Sequence, residues 1–481
     1  MPNAEGLIVI RGRGRACALG TNLAAYSASE ASPFQTRSVV AHQLPVAALP
    51  ATTEEAVAAL RRAHPAYRQL DRTVLLALLA ARQATTEAGW VTEASGTVVE
   101  QLTAVETPIA NSVLTKAAAS HNTGTLNQQT SIPNQQPEIS VSIGSSRGAT
   151  ERLEQFHREF LADGVVPVAA SPLTTLGNVA SWVAFDAGST GGAALSHSST
   201  CSSAFQALGN AVAWLRAGMA TRFLAGGTEA PLTDFTLTQM HTLGIYSTFP
   251  ATDWPCRPGA GRPSSFVLGE GAAVFALEKV DASALTIELQ QPGQPVFVLE
   301  AVGFGFEAIA SKTGLSPDGQ HFQQAIGHAL RQAGRTPTDI DAVVLHSPGT
   351  PAGDASERAA LRTIFGEELP PLLSNKWLVG HTLGASAALS LDFALHVLAT
   401  QQWLPVPFAT DLAPAPTRPI RRILVNAAGF GVMQLVCWYR CSSARCLWCL
   451  ISNIEKHDCL VSNGPAPYPI CGWLLLQNQE D

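Results

Sequence analysis

One helix–strand unit occurs twice in this sequence, and this repetition restricts the fold more than any other feature. In the first copy, Phe205, Leu208, Val212 and Leu215 are spaced i, i+3, i+7, i+10, which predicts one apolar face of a helix that begins near Cys201. The segment "ATRFLAGGTEA" follows, and it has the composition of a strand that ends in a glycine turn.

The second copy begins at His381. Ala388, Leu391, Leu395 and Leu398 repeat the spacing, and "RRILVNAAGFG" follows as another strand that ends in a glycine turn. Because the two copies share one order of elements, they predict an internally duplicated α/β fold.

The composition favours a globular protein with a large core. Hydrophobic residues make up 46% of the 481 residues and charged residues 14%. The net charge of −7, without basic blocks, gives no support for a nucleic-acid partner. No apolar stretch reaches the ~18 residues of a membrane span, so we expect none. Of the nine cysteines, only Cys17, Cys201 and Cys256 precede residue 437, which fits a cytoplasmic protein without a disulfide framework.

Several further segments have recognisable character. The N-terminal "LIVIRGRGRACALG" predicts a buried strand that runs into a glycine-rich turn, and "DRTVLLALLAARQATTEAG" predicts a helix that ends near Gly89. Residues 92–138 are rich in Thr, Ser, Asn and Gln, and we interpret them as an inserted surface loop. The Cys-rich tail 437–481 has no periodicity and is predicted to be irregular or disordered.

Cys201 lies in "SHSSTCSSAFQA", among small residues and just before the first predicted helix. Free amide N–H groups and the dipole at a helix N-terminus favour a thiolate and can receive a developing oxyanion. The small neighbours leave room for a substrate. A single cysteine more often has a buried structural role, so this motif alone does not decide.

Two histidines and a lysine have positions suited to a site. His346 ends the strand-like "DIDAVVLH" and precedes the irregular "SPGTPAGD", and α/β proteins bind ligands at such strand ends. His381 opens the second predicted helix, whose positive end favours a neutral imidazole that donates a hydrogen bond. Lys376 precedes it in an apolar context, and the turn in "NAAGFGVM" could present a backbone amide. Each residue taken singly also fits a structural role.

Together these segments resemble the elongating β-ketoacyl-acyl carrier protein synthases of the thiolase-like superfamily. The family's cysteine motif resembles "TCSSAFQA", its H-x-x-G-T-x-x-x-D resembles "HSPGTPAGD", its K-x-x-x-G-H-x-x-G-A resembles "KWLVGHTLGA", and its N-x-x-G-F-G resembles "NAAGFG". The resemblance covers residues 7–436. Ser347-Pro348 replaces the usual Gly-Thr, and Ala428 and Val432 replace common pocket residues, so the acyl preference is open.

The resemblance implies an α/β fold of two similar halves, each a five-stranded sheet between helices, packed as five layers α/β/α/β/α. The N-terminal half would be 1–280 with the nucleophile, and the C-terminal half 281–436 with both histidines and the lysine. It also implies a homodimer, or a heterodimer with a related synthase subunit.

The resemblance implies the chemistry as well. Cys201 would take an acyl group from an acyl carrier protein, with the amides of Cys201 and Phe430 as oxyanion hole and Phe430 as a gate to the acyl pocket. His346 and His381 would stabilise the enolate formed as malonyl-carrier loses carbon dioxide, and Lys376 would orient the His346 region. The product is a 3-ketoacyl-carrier of fatty acid, polyene or polyketide biosynthesis, and no metal or organic cofactor is needed.

The carrier protein is acidic in this family, so we expect a basic docking surface. The segment "LRRAHPAYRQLDR" offers Arg61, Arg62, Arg68 and Arg72. A solvated charged face is the alternative interpretation of these arginines.

Rival interpretations are weaker or differ in class. A biosynthetic thiolase needs a second cysteine that "NAAGFGV" lacks, and an initiating synthase would carry Asn in place of His381. A catalytically weak or silent partner subunit of a heterodimeric synthase is the alternative function, although Cys201 argues against it. In the tail, "CLWC" with His457 and Cys459 has metal-ligand residue types, but the irregular spacing favours an aberrant extension.

Overall fold

The structure is a computed structural model that describes part of the chain. The described residues are 6–23, 26, 31–90, 138–288, 296–306, 316–412, 416, 418–429 and 432–441. The predicted insertion, except Glu138, lies outside this set, as do Phe430 and the "CLWC", His457 and Cys459 of the tail.

The described part of the chain contains both strands and helices, which alternate singly from residue 194 to residue 379. The strands are β1 (Leu7–Ala16), β2 (Gln35–Val39), β3 (His42–Val46), β4 (Ile139–Gly144), β5 (Ala194–His197), β6 (Arg222–Glu229), β7 (Gly271–Val280), β8 (Val296–Phe306), β9 (Ala342–Val344), β10 (Leu372–Leu373), β11 (Arg422–Gly429) and β12 (Val432–Cys441). The helices are α1 (Ala51–Ala63), α2 (Arg72–Glu87), α3 (Thr150–Asp163), α4 (Ala170–Thr174), α5 (Val179–Asp186), α6 (Ser203–Arg216), α7 (Asp234–Thr242), α8 (Ala282–Glu288), α9 (Gln320–Ala333), α10 (Pro351–Phe365), α11 (Lys376–Val379) and α12 (Ser386–Thr400).

Ten strands form one mixed sheet whose topology is duplicated. The spatial order is β10-β9-β11-β12-β8-β1-β7-β6-β4-β5, and the hairpin β2–β3 lies apart. From the centre outward, one half has the order β1-β7-β6-β4-β5 and the other the order β8-β12-β11-β9-β10. In each half the second strand from the centre, β7 or β12, is antiparallel to both of its neighbours. The duplication predicted from the two helix–strand units is confirmed.

The halves stack as five layers. Helices α2 and α5 cover one face of the β1–β7 half, where their apolar residues share a core with residues such as Val141 and Val274. Helices α6 and α12 lie between the two halves and contact both, in a core that includes Phe275 and Val425. Helices α9 and α10 cover the outer face of the β8–β12 half, around Val343. This is the thiolase-like arrangement that the resemblance implied.

The glycines near the N-terminus lie within a strand. Strand β1 continues through Gly12 and Gly14 to Ala16, and the predicted turn comes only after it, where the N–H of Gly20 donates to the carbonyl of Cys17 at 2.8 Å. A Cβ on Gly14 would overlap the carbonyl of Ala80 in α2, and Gly12 meets the same helix. These glycines therefore allow a helix to lie directly on the strand.

Helix α12 is buried on every side. All residues from Ser386 to Leu398 are buried, so the apolar face predicted from spacing is part of a completely enclosed helix. The segment Leu383–Thr400 is long and apolar enough to cross a membrane, contrary to the expectation that no stretch would be. Because 89% of it is buried inside the protein, it has the environment of a core helix.

Strand β12 extends beyond the predicted boundary of the body. It pairs with β11 as far as Tyr439 and with β8 as far as Cys441, so residues 437–441 of the predicted irregular tail are in a strand. The pairing of backbone groups across three strands explains the difference, because a strand between two neighbours needs no apolar periodicity of its own to be held.

Candidate active site

His346 lies where the predicted strand end opens into a loop. It follows β9 by two residues, and the side chain is buried. The carboxylate of Glu357 in α10 accepts hydrogen bonds from the backbone N–H of His346 at 2.9 Å and from the N–H and hydroxyl of Ser347, both at 2.8 Å. Asn426 of β11 donates to the same carboxylate at 2.8 Å. Glu357 therefore holds the His346 loop against two elements.

His381 does not open the second helix, contrary to the sequence-based expectation. It pairs through its backbone with Leu268, and the short turn Leu383–Ala385 separates it from α12. The N–H of Leu383 donates to His381 Nδ1 at 3.2 Å. Because Nδ1 accepts, the proton of the neutral ring is on Nε2, where it can be donated to a ligand.

The imidazoles of His346 and His381 are buried and contact each other edge to face. Their ring centroids are 5.3 Å apart, and the planes are nearly perpendicular at 89°. Burial, the neighbouring His381 and Lys376 hold the pKa of His346 well below its usual range. Burial, and then the charge of Lys376, lower the pKa of His381 to about 3. Both rings are therefore neutral hydrogen-bond donors near neutral pH, as predicted for His381, but for reasons of burial rather than helix dipole.

Lys376 begins α11 and its side chain is buried. Its Nζ donates to Ser390 Oγ at 3.0 Å and to Asn375 Oδ1 at 3.4 Å. Burial lowers the pKa of Lys376 to about 8, and the nearby groups Cys256, Glu357 and Cys201 partly oppose this. The ammonium therefore supplies a positive charge that acts on both histidines and on the thiol.

Cys201 lies two residues before α6 and keeps some exposure to solvent. It packs against the apolar cluster that contains Phe266 and Leu383, and the Phe266 ring lies 5.2 Å from that of His381. Burial, and then the carboxylate of Glu229, raise the pKa of the Cys201 thiol to about 12. The expectation of a thiolate stabilised at a helix end is therefore wrong, because the surrounding apolar atoms disfavour the charged form.

Close backbone packing brings the motifs of the two halves together. A Cβ on Gly227 would meet Ala204, just after Cys201, at 2.7 Å and the carbonyl of Gly384, just after His381, at 2.7 Å. A Cβ on Gly429 would overlap Thr200. The start of α6, the turn after His381 and the end of β11 therefore lie together. Lys376 acts electrostatically on the thiol and on both histidines, and Phe430 lies outside the described residues.

Glu229 is a buried carboxylate that the sequence-based search missed. It ends β6 and accepts four hydrogen bonds, from Ser145 Oγ, Ser146 N, Arg147 N and Gly384 N, at 2.6–3.1 Å. Burial, opposed by these donors, raises its pKa to about 7. Its only signal in the sequence was an acidic residue at the end of the apolar run in "FLAGGTEA". Glu357 was missed as well, because no helix was predicted after "HSPGTP".

The candidate docking arginines have different environments. Arg61 and Arg62 lie in the last turn of α1, and Arg68 lies in the following turn Pro65–Gln69, with Arg62 and Arg68 exposed. Arg72 instead binds the carboxylates of Glu54 and Glu270. Its charge is neutralised within the fold, so Arg72 does not belong to a free basic surface.

The fold and this site together define a class of protein. A thiol, two neutral imidazoles that donate hydrogen bonds, and a buried ammonium at the junction of two thiolase-like halves suit transfer of an acyl group to sulfur and stabilisation of an enolate. The arrangement is that of an acyl-transferring condensing enzyme.

Comparison with known proteins gives the family. The N-terminal domain of beta-ketoacyl synthases matches residues 112–282, and the C-terminal domain matches residues 296–408. The chain belongs to the beta-ketoacyl synthase family.

Individual relatives agree. A 3-oxoacyl-[acyl-carrier-protein] synthase 2 of Staphylococcus aureus is 28% identical over 310 residues, covering 61% of this chain and 74% of the relative. The ketoacyl synthase alpha subunit of the tetracenomycin polyketide synthase of Streptomyces glaucescens is 32% identical over 301 residues, covering 58% and 66%.

Solved structures share the fold. A beta-ketoacyl synthase from Burkholderia phymatum has a TM-score of 0.69 at 21% identity, covering 90% of this chain and 99% of the other. A ketosynthase in complex with its chain length factor, from Xenorhabdus doucetiae, has a TM-score of 0.64 at 20% identity, covering 92% and 99%.

Proposed function

We propose that this protein joins an acyl group held on Cys201 to malonyl-acyl carrier protein, with loss of carbon dioxide, to give 3-ketoacyl-acyl carrier protein. The observation that carries the proposal is the pair of neutral imidazoles, with centroids 5.3 Å apart, in the same packed region as the thiol. A neutral imidazole can donate a hydrogen bond to a thioester carbonyl through its ring N–H.

In the first step, the sulfur of Cys201 attacks the carbonyl carbon of the acyl thioester. The backbone N–H groups of Cys201 and Phe430 form the oxyanion hole, and one such donor contributes about 3 kcal/mol to lowering the barrier. The carrier leaves as its free thiol with the proton that Cys201 loses. Because the thiol pKa is raised to about 12, the nearby Lys376 charge is needed to favour the thiolate as it forms.

In the second step, malonyl-carrier replaces the first carrier. His346 and His381 donate hydrogen bonds to its thioester carbonyl, which stabilises the enolate that forms as the carbon–carbon bond to the carboxylate breaks. The enolate carbon attacks acyl-Cys201, and the sulfur leaves and takes a proton from solvent. The charge of Lys376 adds to burial in keeping both rings neutral, and Lys376 orients the His346 region.

The test is to separate the two partial reactions. Cys201→Ala should abolish condensation to background while the variant still releases carbon dioxide from malonyl-carrier, because the histidines remain. Condensation by Cys201→Ala at the wild-type rate would refute the proposal.

The acyl carrier protein, loaded with acyl or malonyl groups, is the proposed partner, and the exposed Arg62 and Arg68 are its proposed docking residues together with Arg61. Charge reversal of Arg62 and Arg68 should raise the carrier KM with little change in kcat, since rim charges act mainly on association. An unchanged KM would exclude this surface.

We also propose that the chain is cytoplasmic and acts as a homodimer or as a heterodimer with a related synthase subunit. Cys17, Cys201 and Cys256 are free thiols, which suits a reducing compartment. Support for the heterodimer is the fold shared with ketosynthases solved together with a chain length factor.

A catalytically silent partner subunit is the second candidate, because the same structural neighbours include chain length factors. Labelling by cerulenin, an inhibitor that reacts with acyl-site cysteines, distinguishes the two. Modification of the Cys201 peptide supports the condensing enzyme, and an unmodified Cys201 in folded protein supports the silent subunit.

A further inference from the structure

The buried carboxylate of Glu229 connects three segments around the site. It lies at the end of β6, and its side chain is completely buried. One oxygen accepts from Ser145 Oγ at 3.0 Å and from Arg147 N at 3.1 Å, in the loop after β4. The other accepts from Ser146 N at 2.6 Å and from Gly384 N at 2.9 Å. Glu229 therefore joins the N-terminal half to the turn that follows His381.

That turn determines how the His381 ring is held. The N–H of Leu383 donates to His381 Nδ1, and the next N–H along the chain, that of Gly384, donates to Glu229. Leu383 has a positive φ of 42°, a conformation that a leucine adopts only when its surroundings impose it. A Cβ on Gly384 would come within 2.7 Å of Glu229 Oε2, so only glycine allows this contact.

We infer that Glu229 is a positioning residue for the decarboxylation step, because it fixes the turn whose amide sets the tautomer and orientation of His381. This inference rests on the proposed function. Loss of the carboxylate would release the strained turn, and the Nε2 proton of His381 would no longer be aimed at the thioester carbonyl.

A glutamine cannot replace the glutamate here. Each carboxylate oxygen accepts from one backbone N–H at least, Arg147 on one side and Gly384 with Ser146 on the other. A glutamine side chain presents an NH2 group on one side, so in either orientation a donor faces a backbone donor. Glu229→Gln therefore keeps nearly the same shape but loses the hydrogen bond from the backbone N–H groups on one side of the side chain.

Loss of the Glu229 charge should affect the Cys201 thiol in the opposite direction from decarboxylation. The charge of Glu229 contributes to the raised pKa of Cys201, so its removal favours the thiolate. A selective role predicts slower decarboxylation together with unchanged or faster acylation of Cys201. General disruption of the site would slow both reactions.

The experiment measures both partial reactions of full-length wild-type protein and Glu229→Gln. Release of carbon dioxide from malonyl-carrier should lose about 100-fold in kcat, the scale expected for a misplaced catalytic group, with KM unchanged. Acylation of the Cys201 peptide, followed by mass spectrometry, should be as fast as in wild type or faster. Glu229→Asp, which keeps the charge, should recover part of the lost kcat.

The matched control is Glu300→Gln. Glu300, in the middle of β8, is also a buried carboxylate, but it binds Arg335 and Arg422, so Glu300→Gln should leave decarboxylation at the wild-type rate. Equal losses of decarboxylation and acylation in Glu229→Gln, or no loss of decarboxylation, would overturn the inference. If Glu229→Gln does not fold, Gly384→Ala is the second variant, because its methyl group would displace the turn from Glu229. The rates of decarboxylation and of Cys201 acylation are then compared in the same way. A wild-type protein that neither decarboxylates nor condenses would refute the proposed function instead.

Discussion

At the scale of single residues, burial sets the protonation of the site. The pKa of His381 is lowered to about 3, that of Lys376 to about 8, and that of the Cys201 thiol is raised to about 12. Each shift favours the uncharged form, as expected where solvent is excluded. The histidines are therefore ready to donate hydrogen bonds, whereas the thiol depends on the charge of Lys376.

This dependence can be measured by alkylation of Cys201. Lys376→Met should slow alkylation by iodoacetamide about 10-fold near pH 7, where Lys376 is charged and lowers the thiol pKa. The difference should disappear above about pH 9, because the lysine, with its pKa lowered to about 8, is then neutral in wild type too. Mass spectrometry of the Cys201 peptide excludes signal from other cysteines. A difference that persists at high pH would contradict this account.

The sequence allowed prediction of the reactive residues but not of the groups that hold them. Cys201, His346, His381 and Lys376 stand in motifs of reactive residue types at fixed spacings. Glu229 bonds to donors far from it in the chain, up to 155 positions away at Gly384, and no local spacing predicts such a contact. The raised pKa of Cys201 was missed for the same reason, since burial depends on the packed fold.

At the scale of elements, paired glycines allow helices to lie directly on strands in both halves. Gly12 and Gly14 of β1 meet α2, and Gly303 and Gly305 of β8 meet α9, with no space for a Cβ at any of the four. The two strands occupy equivalent positions in the duplicated sheet. A glycine pair in a strand is thus a repeated packing feature. In β1 the sequence pattern was interpreted as the beginning of a turn, because glycine is frequent in turns as well as at close helix–strand contacts.

Substitution of one of these glycines should destabilise the fold. Gly14→Ala should lower the free energy of unfolding by about 1–3 kcal/mol, because the new methyl group forces α2 away from the strand. Urea denaturation measures the change. The control is Gly327→Ala inside α9, where a Cβ meets only the end of the Arg331 side chain, and it should stabilise by about 0.5–1 kcal/mol. Equal effects of the two substitutions would contradict the packing argument.

At the scale of the whole molecule, a buried ion cluster ties the halves together. Arg15 of β1 and Asp392 of α12 are completely buried and 2.9 Å apart. Arg13 and the hydroxyl of Tyr26 also donate to Asp392, at 3.0 and 2.9 Å. The cluster joins the first strand of one half to the central helix of the other.

Removal of one member of this cluster should be costly. Arg15→Met should lower the free energy of unfolding by about 3–5 kcal/mol, because it leaves Asp392 as a buried charge with fewer partners. Arg11→Met, also on β1, removes a partly exposed pair with Glu278 and should cost at most about 1 kcal/mol. Urea denaturation of both variants measures the difference, and a loss for Arg15→Met no larger than for Arg11→Met would contradict the role of the cluster.

The duplicated α/β fold could be predicted from the sequence, because the apolar spacing from Phe205 to Leu215 is repeated from Ala388 to Leu398. The pairing of β12 with β8 and the enclosure of α12 on all sides arise from contacts between distant segments, so local patterns did not show them. The division into halves at residues 1–280 and 281–436 stays a prediction.

The central claim is that one thiol and two histidines act together on two carrier-bound thioesters. The most direct measurement is to incubate wild-type protein with malonyl-carrier and a panel of acyl-carriers, and to weigh the carrier-bound products. The account predicts 3-ketoacyl chains two carbons longer than the acyl donor, absent with Cys201→Ala. Acyl chains of unchanged mass from folded wild-type protein, with every donor, would contradict it.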